Sequence, residues 1–268
     1  MLVQGTTRVG FIIGHPIAQV KSPGLFNRHF AEAGADRVLV PTDLAPAQVE
    51  SFLATLRGVH NADGAVVTVP HKRAVVPYLD SLTDRARRLR AANVIRRNPD
   101  GTLVGDNVDG LGFTLAAAAH GLAPRGLTAL VVGAGGVGSA IADALCEAGV
   151  ARLALTDLAT DAVAWLATML ADAFPATAIE RPGSVADLSG YDLVVNATPA
   201  GMGGTGALPL PEAAIATLRA GCLVADVVTS PALTPFLQLA QARGCRVQQG
   251  PEMAAAQMTA LGGFMGAM

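Results

Sequence analysis

The feature that most limits how this chain can fold is a glycine cluster, Gly133-Ala134-Gly135-Gly136-Val137-Gly138, set directly after the apolar, β-branched run Leu127 to Val132. Residues 136 to 148 are small and helix-forming, Gly149 closes them, and Leu153 to Thr156 reads as the next strand. Strand, glycine turn, helix and strand in that order satisfy G-x-G-x-x-G in the context that gives the motif weight. The glycines permit a tight turn and a close approach of backbone to a pyrophosphate. The helix that follows offers unpaired N–H groups and the positive end of its dipole. Gly133, Ala134, Gly135, Gly136 and Val137 are therefore the expected cofactor cradle. Asp157 lies 24 residues after Gly133 (157 − 133), near the ~20-residue offset of an acid that accepts a hydrogen bond from a ribose 2′-OH. Such a carboxylate repels a 2′-phosphate, and no Arg or Lys stands beside it, so NAD is expected in preference to NADP. The other reading of Asp157 is a cap for a helix beginning near Thr160. Asn196-Ala197-Thr198 follows a third strand, at the strand end where doubly wound sheets take ligands. Asn196 and Thr198 join the cofactor set on that ground.

The rest of the chain repeats the alternation. Val9 to Ile13, Val38 to Val40, Ala65 to Val69 and Asn93 to Ile95 read as strands in the first 110 residues, with Asp192 to Val195, Leu223 to Val228 and Arg246 to Gln248 later. Ser22-Pro23 reads as a helix start, with a hydroxyl to cap and a proline where no N–H is needed. Phe26, Phe30 and Ala33 follow at helical spacing, and Gly34 ends the segment. Strands alternating with helices predict a mostly parallel sheet covered by helices. No Pro-, Gly- or Ser-rich linker divides the 268 residues. The expected architecture is two compact α/β domains joined near residues 106 to 112, with a cleft between them for a small molecule.

Composition removes other classes. With 51% hydrophobic and 15% charged residues, the chain is not disordered. A net charge of −2 and the lack of a basic stripe argue against nucleic-acid or anionic-membrane partners. Arg85, Arg87, Arg88 and Arg90 read as a solvated helix face. Mean hydropathy is +0.43, yet Asp, Gly or Pro breaks every apolar stretch short of the roughly 18–20 residues a span needs. No leader pattern opens the chain. Cys146, Cys222 and Cys245 lie far apart and read as buried apolar residues in a reducing cytoplasm. No His/Cys/Asp/Glu cluster has metal-ligand spacing, and the chain is expected to be a monomer or homodimer.

Three N-terminal segments gather polar residues at strand ends: Val67-Thr68-Val69-Pro70-His71-Lys72, Ala91-Ala92-Asn93-Val94, and Gly105-Asp106-Asn107-Val108-Asp109-Gly110. Spacing alone makes Lys72 a surface lysine and Asp109 a turn residue. Joined to Gly14-His15-Pro16-Ile17-Ala18, Lys21-Ser22-Pro23, the glycine loop, Asn196-Ala197-Thr198 and Gly250-Pro251-Glu252-Met253 with Gln257, these segments resemble the shikimate/quinate dehydrogenase family over nearly the whole chain. The resemblance implies a substrate-binding and catalytic domain at 1–107 with 251–268, and a Rossmann-type NAD-binding domain at 108–250. It implies Lys72 and Asp109 as the catalytic pair, and Ser22, Thr68, Asn93 and Gln257 as substrate contacts. It implies hydride transfer between a ring secondary alcohol (shikimate, quinate or a related polyol or cyclic hydroxy acid) and nicotinamide, as in aromatic amino acid biosynthesis. His71, next to Lys72, is read as structural, because neighbours in a strand-like segment face opposite ways.

The resemblance is imperfect at three polar positions, occupied here by Val20, Val66 and Thr229; Val108 is another apolar replacement, where a threonine is usual. An ionised carboxylate without donors is costly in a dry pocket, so shikimate itself is expected to be a poor substrate beside a polyol without that group. Competing readings are a catalytically idle NAD-binding regulatory module and a dehydrogenase of similar build acting on a folate or an amino acid.

Overall fold

A computed structural model describes residues 2–268. It divides into two compact units, one running through Val108 and taking back Gln257–Met268, the other being Asp109–Ala256.

The first unit is built on β1 (Arg8–Gly14), α1 (Ser22–Glu32), β2 (Arg37–Asp43), α2 (Val49–Gly58), β3 (Ala62–Val67), β4 (Ser81–Leu82), α3 (Asp84–Leu89), β5 (Val94–Arg97) and β6 (Leu103–Asp106). The sheet order is β2-β1-β3-β5-β6-β4. β1 runs parallel to β2 and β3, but β5 is antiparallel to β3 and to β6. This sheet is therefore mixed, where sequence alternation predicted a mostly parallel one. The reason is the turn Asn98-Pro99-Asp100-Gly101, in which Gly101 takes φ +87° and its N–H returns to the Asn98 carbonyl at 2.9 Å. A proline turn ending on a glycine at positive φ closes the β5–β6 hairpin, which sets those two strands antiparallel. The core packs Ile13, Leu53, Leu56 and Ile95 at 1% exposure or less, each worth about 1.5–3 kcal/mol on burial. Arg97 is itself buried and donates to the Leu56 and Arg57 carbonyls, closing the C-terminal end of α2.

Two local readings change. Ser22 is the first residue of α1 rather than its cap; Lys21 holds the cap position, with no side-chain capping bond. The arginine run is not one solvated face. Arg85 Nε and Nη2 reach the buried Asp106 carboxylate at 2.8 and 2.5 Å, and Arg90 leaves the helix at φ +51°.

The second unit holds α4 (Asp109–Ala119), β7 (Thr128–Val132), α5 (Gly136–Glu147), β8 (Arg152–Thr156), α6 (Thr160–Ala173), β9 (Ala178–Glu180), β10 (Leu193–Asn196), α7 (Glu212–Ile215), β11 (Leu223–Asp226), α8 (Pro235–Ala242), β12 (Arg246–Gln248) and the first part of α9 (Gly250–Met265). Its sheet, β12-β11-β10-β7-β8-β9, is parallel throughout. β10 and β11 are buried at every position, as strands covered on both faces must be. The chain reverses its direction of travel along the sheet beside β7, which puts a ligand crevice at the carboxyl ends of β7, β8 and β10. Asp109, read from sequence as a turn residue, opens α4 instead. A Cβ on Gly110 would strike the Ala140 carbonyl of α5, so close helix packing overrides glycine's poor helix propensity.

Cys146, Cys222 and Cys245 are free and buried, and burial pushes the Cys222 thiol up to about 12. Among the described residues no helix is long and apolar enough to cross a membrane, and no group of three metal-ligating side chains forms.

Candidate functional site

In the second unit the glycine loop turns sharply after β7. Gly133 takes φ +111°, a region open to glycine, and a Cβ there would lie 2.8 Å from the Ala197 carbonyl group. A Cβ on Gly138 would strike the Gly133 carbonyl oxygen. These two glycines answer to packing within the protein. Gly135 and Gly136 do not, since a Cβ on either would meet nothing within 4 Å. Their smallness leaves room in front of the α5 N-terminus, as the close approach of a pyrophosphate requires. Gly133 and Gly135 line a cavity of about 600 Å³ with Asp157, Thr198, Pro199 and Leu210. A nicotinamide dinucleotide fits this donor set: backbone amides at a helix start, with polar side chains along one wall.

Asn196 and Thr198 build the opposite lip. Asn196 is fully buried, and its Oδ1 accepts from the Thr198 amide at 3.0 Å and hydroxyl at 2.7 Å. Asn196 Nδ2 donates to the Ala200 carbonyl. Asn196 therefore shapes the turn while Thr198 faces the cavity. Val137 lies one residue into α5 and packs on the core beneath the loop. Leu208, Pro209 and Leu210 complete the wall from a segment that periodicity left unassigned; its alternating Leu-Pro pattern is the signal for a rigid extended wall.

Asp157 stands at the end of β8, as its spacing predicted, but both its oxygens are engaged. Oδ2 accepts from the Ala134 amide at 2.6 Å and Oδ1 from the Ala159 amide at 2.9 Å. The carboxylate ties the glycine loop to the approach of α6, whose own cap position is Ala159.

Asp226, at the end of β11, was not singled out from sequence. It is 2% exposed and accepts from the Val228 amide at 2.9 Å and the Thr234 hydroxyl at 2.7 Å. Burial raises its pKa above the ordinary carboxylate value, against the pull of those hydrogen bonds.

In the first unit Thr68 follows β3, its amide bonded to the Ile13 carbonyl at 2.9 Å. Lys72 sits in the turn beyond Pro70, and its carbonyl accepts from the Ala92 amide at 2.8 Å. That bond fixes Lys72 one residue from Asn93. Asn93 is 2% exposed, and its Oδ1 accepts from the Val108 amide at 2.9 Å, so the Lys72 turn and the end of β6 are held by one residue. Asp106 supports the same corner, bound by Arg85, by the Thr83 hydroxyl at 2.5 Å and by the Asn107 amide at 2.7 Å. His71 is fully buried, with Nε2 at 2.7 Å from the Leu44 carbonyl. It belongs to a turn rather than a strand, so burial, and not strand alternation, sets its orientation away from solvent. Val66 is a core residue of β3, and Thr229 is exposed beyond β11. Ser22 and Gln257 are half-buried on α1 and α9, and Asp109 is buried at the start of α4.

Comparison with known proteins places these observations. A family model described as the shikimate dehydrogenase substrate binding domain matches residues 12–95. A curated relative from Geobacter sp. strain M21, "Shikimate dehydrogenase (NADP(+))", is 36% identical, covering 96% of this chain and 89% of its own length. Among solved structures, ligand-free 5-ketofructose reductase of Gluconobacter sp. strain CHM43 superposes with TM-score 0.90 at 26% identity, covering 97% of this chain and 92% of that one. Shikimate 5-dehydrogenase from Listeria monocytogenes, in complex with shikimate and NAD, gives TM-score 0.90 at 25% identity over 97% of this chain and 91% of that one. The curated relatives are named for NADP(+), which overturns the expectation of NAD over NADP drawn from Asp157. The geometry gives Asp157 a role of its own within the protein: its carboxylate accepts the Ala134 and Ala159 amides and braces the loop, so its place at the end of β8 does not by itself report the cofactor.

Proposed function

Because the chain belongs to the shikimate dehydrogenase family, we propose that it is a dehydrogenase that reversibly oxidises a ring secondary alcohol of a small cyclic hydroxy acid or polyol, with NADP(+) as the acceptor. The observation that carries this reading is the cavity of about 600 Å³ at the carboxyl ends of β7, β8 and β10, where Gly135 leaves space that no protein atom uses.

The dinucleotide, when bound, supplies the hydride chemistry. The chain's residues do the rest. The α5 N-terminus and the glycine-loop amides hold the pyrophosphate, and Thr198 borders it. Lys72 and Asp109 are the catalytic residues in this reading. Oxidation of a carbinol requires its hydroxyl proton to leave as the C–H bond breaks. Lys72 Nζ is the group that hydrogen-bonds that oxygen and exchanges the proton, and Asp109 orients the hydroxyl. Asn93, Thr68, Ser22 and Gln257 bind the remaining ring hydroxyls. The apolar Val20, with Thr229, supports a substrate whose recognition rests on hydroxyls more than on a carboxylate; the likeness to 5-ketofructose reductase supports the same reading.

The test is NAD(P)H absorbance with purified protein against shikimate, quinate and a panel of cyclic and linear polyols and keto-sugars. Turnover of a polyol with weak turnover of shikimate is the expected result. Efficient shikimate turnover would remove the polyol preference, and silence on every secondary alcohol would remove the dehydrogenase reading.

A further inference from the structure

A second, smaller cavity of about 300 Å³ opens beside the dinucleotide cavity and shares Thr156, Asp157 and Gly183 with it. Its other walls include Thr160 and Val163 of α6 and Arg181. Arg181 directly follows β9, which pairs in parallel with β8 in the register Ala154↔Glu180. The next step along both strands sets Arg181 beside Leu155, at the same edge of the sheet as Asp157. Ile179 packs into the core under α6 together with Leu155 and Val163. Side chains two apart on an extended segment share a face, so Arg181 lies on the α6 side, where the cavity is. Glu180 points the other way, and its carboxylate is taken by Arg152 at 3.0 Å. Arg181 is exposed and, among the described residues, makes no side-chain hydrogen bond or ion pair.

We propose that Arg181, with the Thr160 hydroxyl, forms a subsite for the 2′-phosphate of a phosphorylated dinucleotide. This rests on the reading of the larger cavity as the dinucleotide site. The ribose of a dinucleotide seated on the glycine loop comes to the end of β8, and its 2′ position is then directed past Asp157 toward the smaller cavity. The guanidinium fork suits a phosphate. Asp157 opposes it less than a free carboxylate would, because its oxygens are turned to the Ala134 and Ala159 amides. The phosphate-reading cation thus comes from the neighbouring strand, some 24 residues beyond Asp157 (181 − 157), which is why a search for a basic residue beside Asp157 finds none.

The experiment is calorimetric titration of the full chain with 2′,5′-ADP and with 5′-AMP, needing neither substrate nor turnover. The subsite predicts that wild type binds 2′,5′-ADP more tightly than 5′-AMP. Arg181→Ala should remove about tenfold to a hundredfold of that preference, the worth of a charge-assisted pair, while 5′-AMP affinity holds. Arg181→Lys should restore part of it. Arg243→Ala, an equal loss of charge just beyond α8, should leave the preference in place. Thermal melts check that each variant is folded. Equal binding of the two nucleotides by wild type would overturn the subsite and leave the dinucleotide reading standing. A preference that survives Arg181→Ala would overturn the role of Arg181. Binding of neither nucleotide would overturn the dinucleotide reading itself.

Discussion

The two units present different kinds of surface to a ligand. In the second unit the candidate surface is mostly backbone: the amides and absent side chains of Gly133, Gly135 and Gly136, over a wholly parallel sheet. In the first it is mostly side chains, Lys72, Asn93 and Thr68, standing on turns of a mixed sheet and held by buried polar groups. A backbone surface needs correct dihedral angles and empty space, so it is sensitive to added atoms. A side-chain surface needs donors, acceptors and the groups that orient them, so it is sensitive to removed atoms.

Variants in each unit sharpen that contrast. The largest effect is expected for Lys72→Ala. Removing the group that exchanges the substrate proton should lower kcat by about a hundredfold to ten-thousandfold, with dinucleotide affinity and melting temperature unchanged. Steady-state kinetics beside nucleotide titration reads both, and a variant that keeps full kcat would strip Lys72 of its role.

Next come the paired glycine variants. Gly138→Ala should cost about 1–3 kcal/mol of stability, because its Cβ meets the fixed Gly133 carbonyl oxygen and the loop must move. Gly135→Ala meets nothing within 4 Å, so its stability should stay within about 0.5 kcal/mol of wild type while nucleotide affinity falls. Equal destabilisation by both, measured by urea unfolding, would mean that Gly135 is kept for packing.

Arg85→Ala tests the buried supports of the first unit. Asp106 is 1% exposed and its partner Arg85 28% exposed. Losing one partner of a fully buried pair costs ~3–5 kcal/mol. Here Arg85 is partly solvated, and Thr83 and Asn107 still donate to the carboxylate, so about 2 kcal/mol is expected. No loss of stability would show that those two donors suffice.

The smallest effect belongs to Asp226→Asn in the second unit. The folded pKa of Asp226 is raised by burial. Its favourable contribution is therefore complete below the unfolded pKa and is lost as pH rises through the folded value. The Asn variant stays neutral, so it should gain on wild type across that interval and hold a constant advantage above it. Denaturation at a series of pH values checks the sign, and a gap that shrinks with rising pH would contradict it.

Much of the second unit could be read directly from the chain. Strands buried on both faces must be continuous apolar runs, and the runs ending at Val132, Thr156 and Asn196 are such strands. The first unit was less legible. β4 is two residues long and β6 carries Gly105 and Asp106, too short and too polar for periodicity to register. The hairpin turn at Asn98 to Gly101 was the available sign that the sheet becomes antiparallel. The start of α4 was hidden for a different reason: Gly110 and Gly112 disfavour a helix locally, and the close packing of Gly110 on α5 is a tertiary contact that local pattern does not carry.

The sequence alone determined the α/β class, the glycine loop at a strand end, the family, and the residue types offered to a ligand. These follow from local pattern, because a run of apolar residues or a glycine turn has the same meaning wherever it lies in the chain. Tertiary structure decided which of those groups are still available. Asp157 is bonded to the Ala134 and Ala159 amides, Arg85 is drawn from solvent to Asp106, and Arg181 comes to the same cavity as Asp157 only because β9 pairs with β8. Hydrogen-bonding capacity is finite and is filled by whichever partner the fold brings within about 3 Å, and residues distant in the chain reach that distance only through the packing of the sheet.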